Sequence, residues 1–215
     1  MGLYVVTVSY GQTAVTATNI SVPPGAPFIN WKLPSLAPGF AAGVQTFSNS
    51  GTFVVPNGIT QVEVEVWGGG SGSYASTASL ASGGGAGGGY ARKLVAGLTP
   101  GQAIPVSIGI GGSGGTTSGS AASPGGSSSF GTFVSATGGS LNASASVSAP
   151  QNGATPGGSG VGGDVNLTGS SGQSALMSAA GVGGGAPLGG MQSSGTVGVP
   201  GVFPGGGARA EPEPE

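Results

Sequence analysis

The sequence predicts an all-β chain: a small β-sandwich interleaved with glycine-rich segments in the extended polyproline-II conformation, with few or no helices. Three observations lead there. Apolar residues alternate with polar ones in short runs, no stretch carries them at helical spacing, and 50 of 215 residues are glycine, gathered in tracts between the strand signals.

Composition decides between a packed and a loose chain. Fifty glycines and 16 prolines reach the share at which low complexity or disorder is the default expectation. Disordered chains, however, combine low hydropathy with high net charge. Here Lys and Arg number 4, Asp and Glu 6, the net charge is -2 and the mean hydropathy is +0.24. No charged side chain occurs between Lys93 and Asp164. Such a stretch stays soluble only if its backbone amides find partners in a folded assembly, so ordered packing is the favoured reading. Each glycine in regular structure costs about 0.5–1 kcal/mol relative to alanine. Something must offset that cost, and backbones packed where only a hydrogen atom fits would do so.

Residues 3–22 alternate in the β manner, with Tyr4, Val6 and Val8 on one face, and read as two strands about a turn at Gly11-Gln12. Pro23, Pro24 and Pro27 stop regular structure, and residues 28–43 hold Phe28, Ile29, Trp31, Leu33, Leu36 and Phe40 among prolines and glycines. Phe28, Trp31, Leu36 and Phe40 are candidate docking residues for a neighbouring subunit, or else core over the sheet. Strand signals are clearest from Gly43 to Phe47 and from Gly51 to Pro56. Then come a turn at Pro56-Asn57-Gly58 and the strand Thr60–Trp67, with Val62, Val64 and Val66 on a buried face and Glu63 and Glu65 on a wet one. Further strands are expected at Tyr90–Ala96, Gln102–Ile110 and Ser128–Ala136, with Leu98-Thr99-Pro100-Gly101 as a turn.

The glycine tracts lie at 68–72, 83–89, 109–115 and 125–126. Several carry glycine at every third position: Gly109, Gly112 and Gly115; Gly157, Gly160 and Gly163; Gly195, Gly198 and Gly201, continued by Pro204 and Gly207. Three residues per turn is the period of polyproline II, which has no internal hydrogen bonds, so a bare ridge leaves amides and carbonyls free for neighbouring segments. A collagen reading fails because Ala86 and Ser113 interrupt the triplets. A flexible linker is the competing reading for residues 140–208. The division expected is 1–46 as an N-terminal attachment or docking region, 47–139 as the sandwich, 140–208 as a Gly/Ser-rich distal region, and 209–215 as an acidic, proline-alternating tail kept extended by repulsion.

Chemistry is sparse. There is no cysteine and no histidine, and no cofactor or metal is expected. Gly111-Gly112-Ser113-Gly114-Gly115 fits a serine-hydrolase elbow, yet nothing can take the serine proton and no helix follows. Gly109–Gly114 fits a dinucleotide loop but opens no helix. Glu63 and Glu65 stand side by side on a solvent face rather than as an acid–base pair, and Asp164 alone is too little for calcium. Four basic residues offer nucleic acid no footprint, and Arg92 and Lys93 read as charges flanking a strand. No apolar run approaches a membrane span and no export signal opens the chain, so neither membrane insertion nor ordinary export is expected.

The order of pieces from Phe47 through Gly51-Thr52-Phe53-Val54-Val55-Pro56-Asn57-Gly58 to Trp67-Gly68-Gly69-Gly70 carries a resemblance. It continues with Gly87-Gly88-Gly89-Tyr90-Ala91-Arg92-Lys93, Gly97-Leu98-Thr99-Pro100-Gly101 and Gly126–Gly131. Residues 47 to about 139 resemble the glycine-rich domain of phage and prophage tail fibres. The triplet tracts are also similar in character to the polyglycine-II lattice of short adhesins that cap long fibres of some T-even-like phages. The resemblance implies a virion protein made in the host cytoplasm, a homotrimer at a fibre or baseplate tip. Its implied partners are other tail-fibre or baseplate proteins and a bacterial surface receptor: a polysaccharide, an outer-membrane protein or a pilus. A purely structural virion, appendage or cell-surface protein is the alternative. Loops that interrupt the glycine ridges are the candidate receptor contacts: Tyr74, Thr77 and Leu80; Thr116; Leu141 and Asn142; Met191 and Gln192. Tyr74 can stack on a sugar ring, and the Ser, Thr and Asn side chains around it offer adaptable hydrogen bonds.

Overall fold

The computed structural model describes residues 43–73, 82–115, 122–141, 152–176, 180–189, 201 and 204–208. All lie in the second of two units into which the chain divides, Met1–Leu36 and Ala37–Glu215. Among the described residues there is no helix. Within the described residues, eight strands form two antiparallel sheets: β1 (Gly51–Val54), β2 (Gln61–Trp67), β3 (Tyr90–Ala96), β4 (Ala103–Ser107), β5 (Ser128–Phe130), β6 (Val134–Ala136), β7 (Gly160–Val161) and β8 (Val165–Leu167). One sheet has the order β1-β4-β5-β6-β7 and the other β2-β3-β8. Residues on both sides of position 140 thus supply strands to the same two sheets.

The core lies between the sheets. Val66, Ala91 and Val95 of the three-stranded sheet pack with Ile104, Val106, Phe130, Val134 and Ala136 of the five-stranded one. The Phe130 ring lies 5.5 Å from Phe53 and 6.2 Å from Phe133. The alternation in β2 works as expected, since Glu63 and Glu65 are exposed while Val66 is buried. Glu63 stands 3.9 Å from Arg92 on the neighbouring strand, a solvated pair of little energetic consequence.

Short turns close one end of the sandwich. Gly58 and Gly101, both at φ 81°, take the left-handed backbone that those turns require. Asp164 accepts the Leu94 amide at 2.9 Å, and Lys93 donates to the Gly162 carbonyl at 2.7 Å, so this basic residue secures the β7–β8 turn rather than simply guarding an edge.

Three expectations change. Residues 43–47 join no ladder, and Val44 is exposed. The single strand expected at Ser128–Ala136 is a hairpin, with Phe130 paired to Val134 and a turn at residues 131–133. Phe130, Val134 and Ala136 all face the core, so the apolar alternation runs across the reversal and conceals it. The pair β7–β8 was not expected: one is two residues long and the other three, too short to show a period.

Candidate functional site

At the other end of the sandwich the strands run straight on into glycine-rich segments: I (68–73) continues β2, II (82–89) leads into β3, III (109–115) follows β4 and IV (122–126) precedes β5. V (137–141) follows β6, VI (152–158) precedes β7 and VII (169–174) follows β8; VIII (180–187) and IX (204–208) complete the set. Segment II lies at the centre. Its Gly84 and Gly87 amides donate to Gln173 and Ser170 of VII, and its Gly85 and Gly88 amides to Ala208 and Gly205 of IX. Its carbonyls at Ser82 and Gly85 accept from VIII, those at Gly84 and Gly87 from VI, and those at Ala86 and Gly89 from I, while Gly89 donates to Thr137 of V. Partners recur mostly every third residue. That is the three-residue turn of polyproline II, its free backbone groups all directed outward.

The neighbours of II also bond one another around it. Ala208 donates to Ser71, Gly207 to Gly184, Ser170 to Gly185, Gly169 to Gly158, Ser140 to Pro156 and Gly139 to Gly69, at 2.8–3.1 Å. The ring I-IX-VIII-VII-VI-V is closed. Segments III and IV extend it beside I, through Gly112 to Gly70, Gly69 to Gly126 and Gly126 to Ile110. The result is a hexagonal polyglycine-II lattice.

The lattice explains the composition. A Cβ built on Gly84 would stand 2.1 Å from the Val182 oxygen, on Gly72 2.0 Å from Ser113, and on Gly158 2.0 Å from Thr137. In each place the glycine hydrogen points at a carbonyl, adding a weak Cα–H···O contact to the amide bonds. Of the triplets, Gly109 and Gly112 face IV, Gly157 faces VII and Gly207 faces II. Gly160 leaves the lattice for β7 and Gly163 for the turn after it, so that triplet is not one ridge. Ala86, which interrupts the sequence triplet, is fully buried; it exchanges bonds with Ser71, whose amide donates to the Ala86 carbonyl and whose Oγ accepts the Ala86 amide at 2.8 Å. Ser113, the centre of the elbow-like motif, is exposed on III and bonded to the Ser123 hydroxyl at 3.0 Å.

Trp67 and Tyr90 mark the junction of sandwich and lattice. Their rings lie 5.0 Å apart, and the Trp67 indole donates to the Pro187 carbonyl at 3.0 Å, which pins the end of VIII. The buried Tyr90 hydroxyl donates to Glu65. Burial, then that hydrogen bond and the carboxylate charge, push the phenol up to about 12. The neutral phenol is therefore the form the fold favours. Its contribution is complete below the ordinary tyrosine value near 10 and is lost as pH rises through about 12. Thermal denaturation followed from pH 9 to 12 should show a steeper alkaline loss in the wild type than in Tyr90→Phe, and the difference between the two chains isolates Tyr90.

The chain shuttles between two poles. Tight turns close the sandwich pole, whereas the described ends of I and II, III and IV, V and VI, and VII and VIII meet at the opposite one. Hydrogen bonds tie the described ends together there: Gly115 to Ser73, Ser123 to Ser113 and Gly181 to Ser82 along the backbone, and the Gly153 amide to the Ser174 hydroxyl. Leu141 sits at this pole, partly exposed, as does Leu176, which the sequence did not single out and which is 75% exposed. Tyr74, Thr77, Leu80, Thr116 and Asn142 lie outside the described residues.

Met191 and Gln192 also lie outside the described residues, and the chain flanking them is elsewhere. It leaves VIII beside Trp67 and re-enters at IX beside Gly88, both at the sandwich junction. Phe28, Trp31, Leu36 and Phe40 lie outside the described residues as well.

All described charged side chains, Glu63, Glu65, Arg92, Lys93 and Asp164, sit on or beside the three-stranded sheet. The described residues of the lattice pole carry none. The described residues of that end can hydrogen-bond and make small apolar contacts. The model of a family described as a glycine-rich domain matches residues 46–213. No curated protein matches the sequence significantly.

Proposed function

We propose that this chain, which belongs to the glycine-rich domain family, is a phage tail-fibre or tail-tip component that attaches the virion to a bacterial surface. The observation that carries the reading is the polarity of the fold, in which the described ends of consecutive lattice segments meet at one pole, opposite the tight turns. A lattice held by backbone bonds keeps that pole rigid whatever the connections contain, and connections on a rigid scaffold are where recognition commonly resides. The sandwich end and the N-terminal region, residues 1–46, take the docking role toward other fibre or baseplate proteins, in a homotrimeric assembly with a virion location. The chain acts by binding and not by catalysis.

The receptor is a polysaccharide, an outer-membrane protein or a pilus, contacted from Tyr74, Thr77, Leu80, Thr116, Leu141 and Asn142. Residues 74–81, 116–121, 142–151 and 177–179 contain no charged side chain. Binding therefore withstands salt that would screen ion pairs beyond a few ångströms. Retention of the purified protein on susceptible and resistant bacterial strains tests the reading. Selective retention that persists in about 0.5 M NaCl and falls when residues 75–80 are replaced by a Gly/Ser linker is expected; equal, negligible retention on both strains would overturn it.

A further inference from the structure

Segment IX occupies the lattice differently from the segments that continue a strand. No described residue beyond Ala136 belongs to the hydrophobic core cluster, and IX is held by backbone groups. Gly85 and Gly88 donate to Ala208 and Gly205 at 2.8 Å, while Gly207 and Ala208 donate to Gly184 and Ser71 at 2.8 and 3.1 Å. The slot it fills is bounded by I, II and VIII and is read by shape. A Cβ on Gly70 would meet the Gly206 oxygen at 2.1 Å, one on Gly183 the Gly207 oxygen at 2.2 Å, and one on Gly207 the Gly85 oxygen at 2.3 Å.

We propose that this slot is an interaction surface between copies of the chain: it accepts residues 204–208 of a second copy in place of its own, giving a segment-swapped dimer. The hydrogen bonds that hold IX are all main-chain bonds, joined by close approaches to bare backbone and to the Ala186 methyl group, and all of them are the same whether the segment comes from the same molecule or another. Nothing in the slot discriminates except the tether, which is the general condition for swapping. Residues 188–203 join VIII to IX, and a tether of that length holds the segment at about millimolar effective concentration. Self-filling dominates in dilute solution, and exchange competes once copies stand side by side at about that concentration, as they do in any ordered assembly. The segment itself has no charge, nor do the residues lining the slot.

The full-length wild-type chain, incubated at about 1 mM just below its unfolding temperature and then diluted, is sized by native mass spectrometry. A slowly dissociating dimer is expected, rising from under roughly a tenth to over roughly half of the protein between micromolar and millimolar incubation. A synthetic peptide with the sequence of residues 201–210, added in excess during incubation, should fill the slots one per chain and abolish the dimer. The same peptide carrying Gly207→Val should not. Absence of a dimer at about 1 mM, or a dimer indifferent to the peptide, overturns the proposal. The readout is self-association of purified protein, so it stands or falls independently of attachment to bacteria.

Discussion

Gly84→Ala is expected to destabilise the protein by more than about 3 kcal/mol, while Gly111→Ala stabilises it by about 0.4–1 kcal/mol. Both add one methyl group to a glycine tract, and their surroundings set the sign. Gly84 is buried in the central segment, where a Cβ would stand 2.1 Å from the Val182 oxygen and 2.4 Å from its carbon. Those atoms are main chain of a segment bonded on several sides, so relief requires displacing VIII from its hydrogen bonds with both II and VII. Overpacking of ordinary cores costs about 1–3 kcal/mol, and here severed backbone bonds add to it.

Gly111 is exposed on III. The nearest atom to its Cβ position is the Gly70 oxygen at 3.9 Å, and its φ is not in the left-handed region. Alanine there only narrows the unfolded ensemble. Urea denaturation with tryptophan fluorescence measures both, since Trp67 reports the junction. Equal effects of the two substitutions would mean that the glycines serve chain flexibility rather than lattice packing.

Phe130→Ala is expected to cost about 3–5 kcal/mol and to melt the lattice together with the sandwich. Phe130 is buried on β5, tilted against Phe53 and Phe133, and paired in register with both Val106 and Val134. Removing its ring leaves a cavity where the five-stranded sheet meets β2. The lattice segments have no side-chain core of their own, and the phase of I to VII is set where each adjoins a strand. Loosening β5 and β6 releases the starting points of IV and V, and V is one wall of the ring around II. Amide hydrogen exchange separates the outcomes. Protection at Gly84, Gly85 and Gly87 should fall along with that at Ile104 and Val95, by a factor of about 100 or more where exchange requires global opening. Loss confined to the sandwich residues would show that the lattice is stable by itself.

Much of this architecture is legible in the residues. β2 and β3 follow from Val62, Val64 and Val66 set against Glu63 and Glu65, and from Tyr90–Ala96 bounded by glycine, because period-two alternation is a local property of a half-buried strand. The polyproline-II conformation of the tracts follows from the near absence of charge together with runs of bare backbone that need partners. The uncharged character of the lattice pole could likewise be read before any fold was known, since the chain has no ionisable group from 94 to 163.

What those residues do not specify by themselves is which tract lies against which. Glycine carries no side chain to encode a partner, so the central place of II, the closure of the ring by IX and the inclusion of Ala86 beside Ser71 emerge only when the sandwich fixes where each segment starts. The same cause hides where VIII ends, and only the indole bond from Trp67 to Pro187 shows at which pole it does so. Local alternation determined that the chain would be all-β and that its glycines would pack; the neighbour relations, and with them the pole where the described segment ends meet, were decided by tertiary structure, because main-chain hydrogen bonds are alike at every glycine and only position tells them apart.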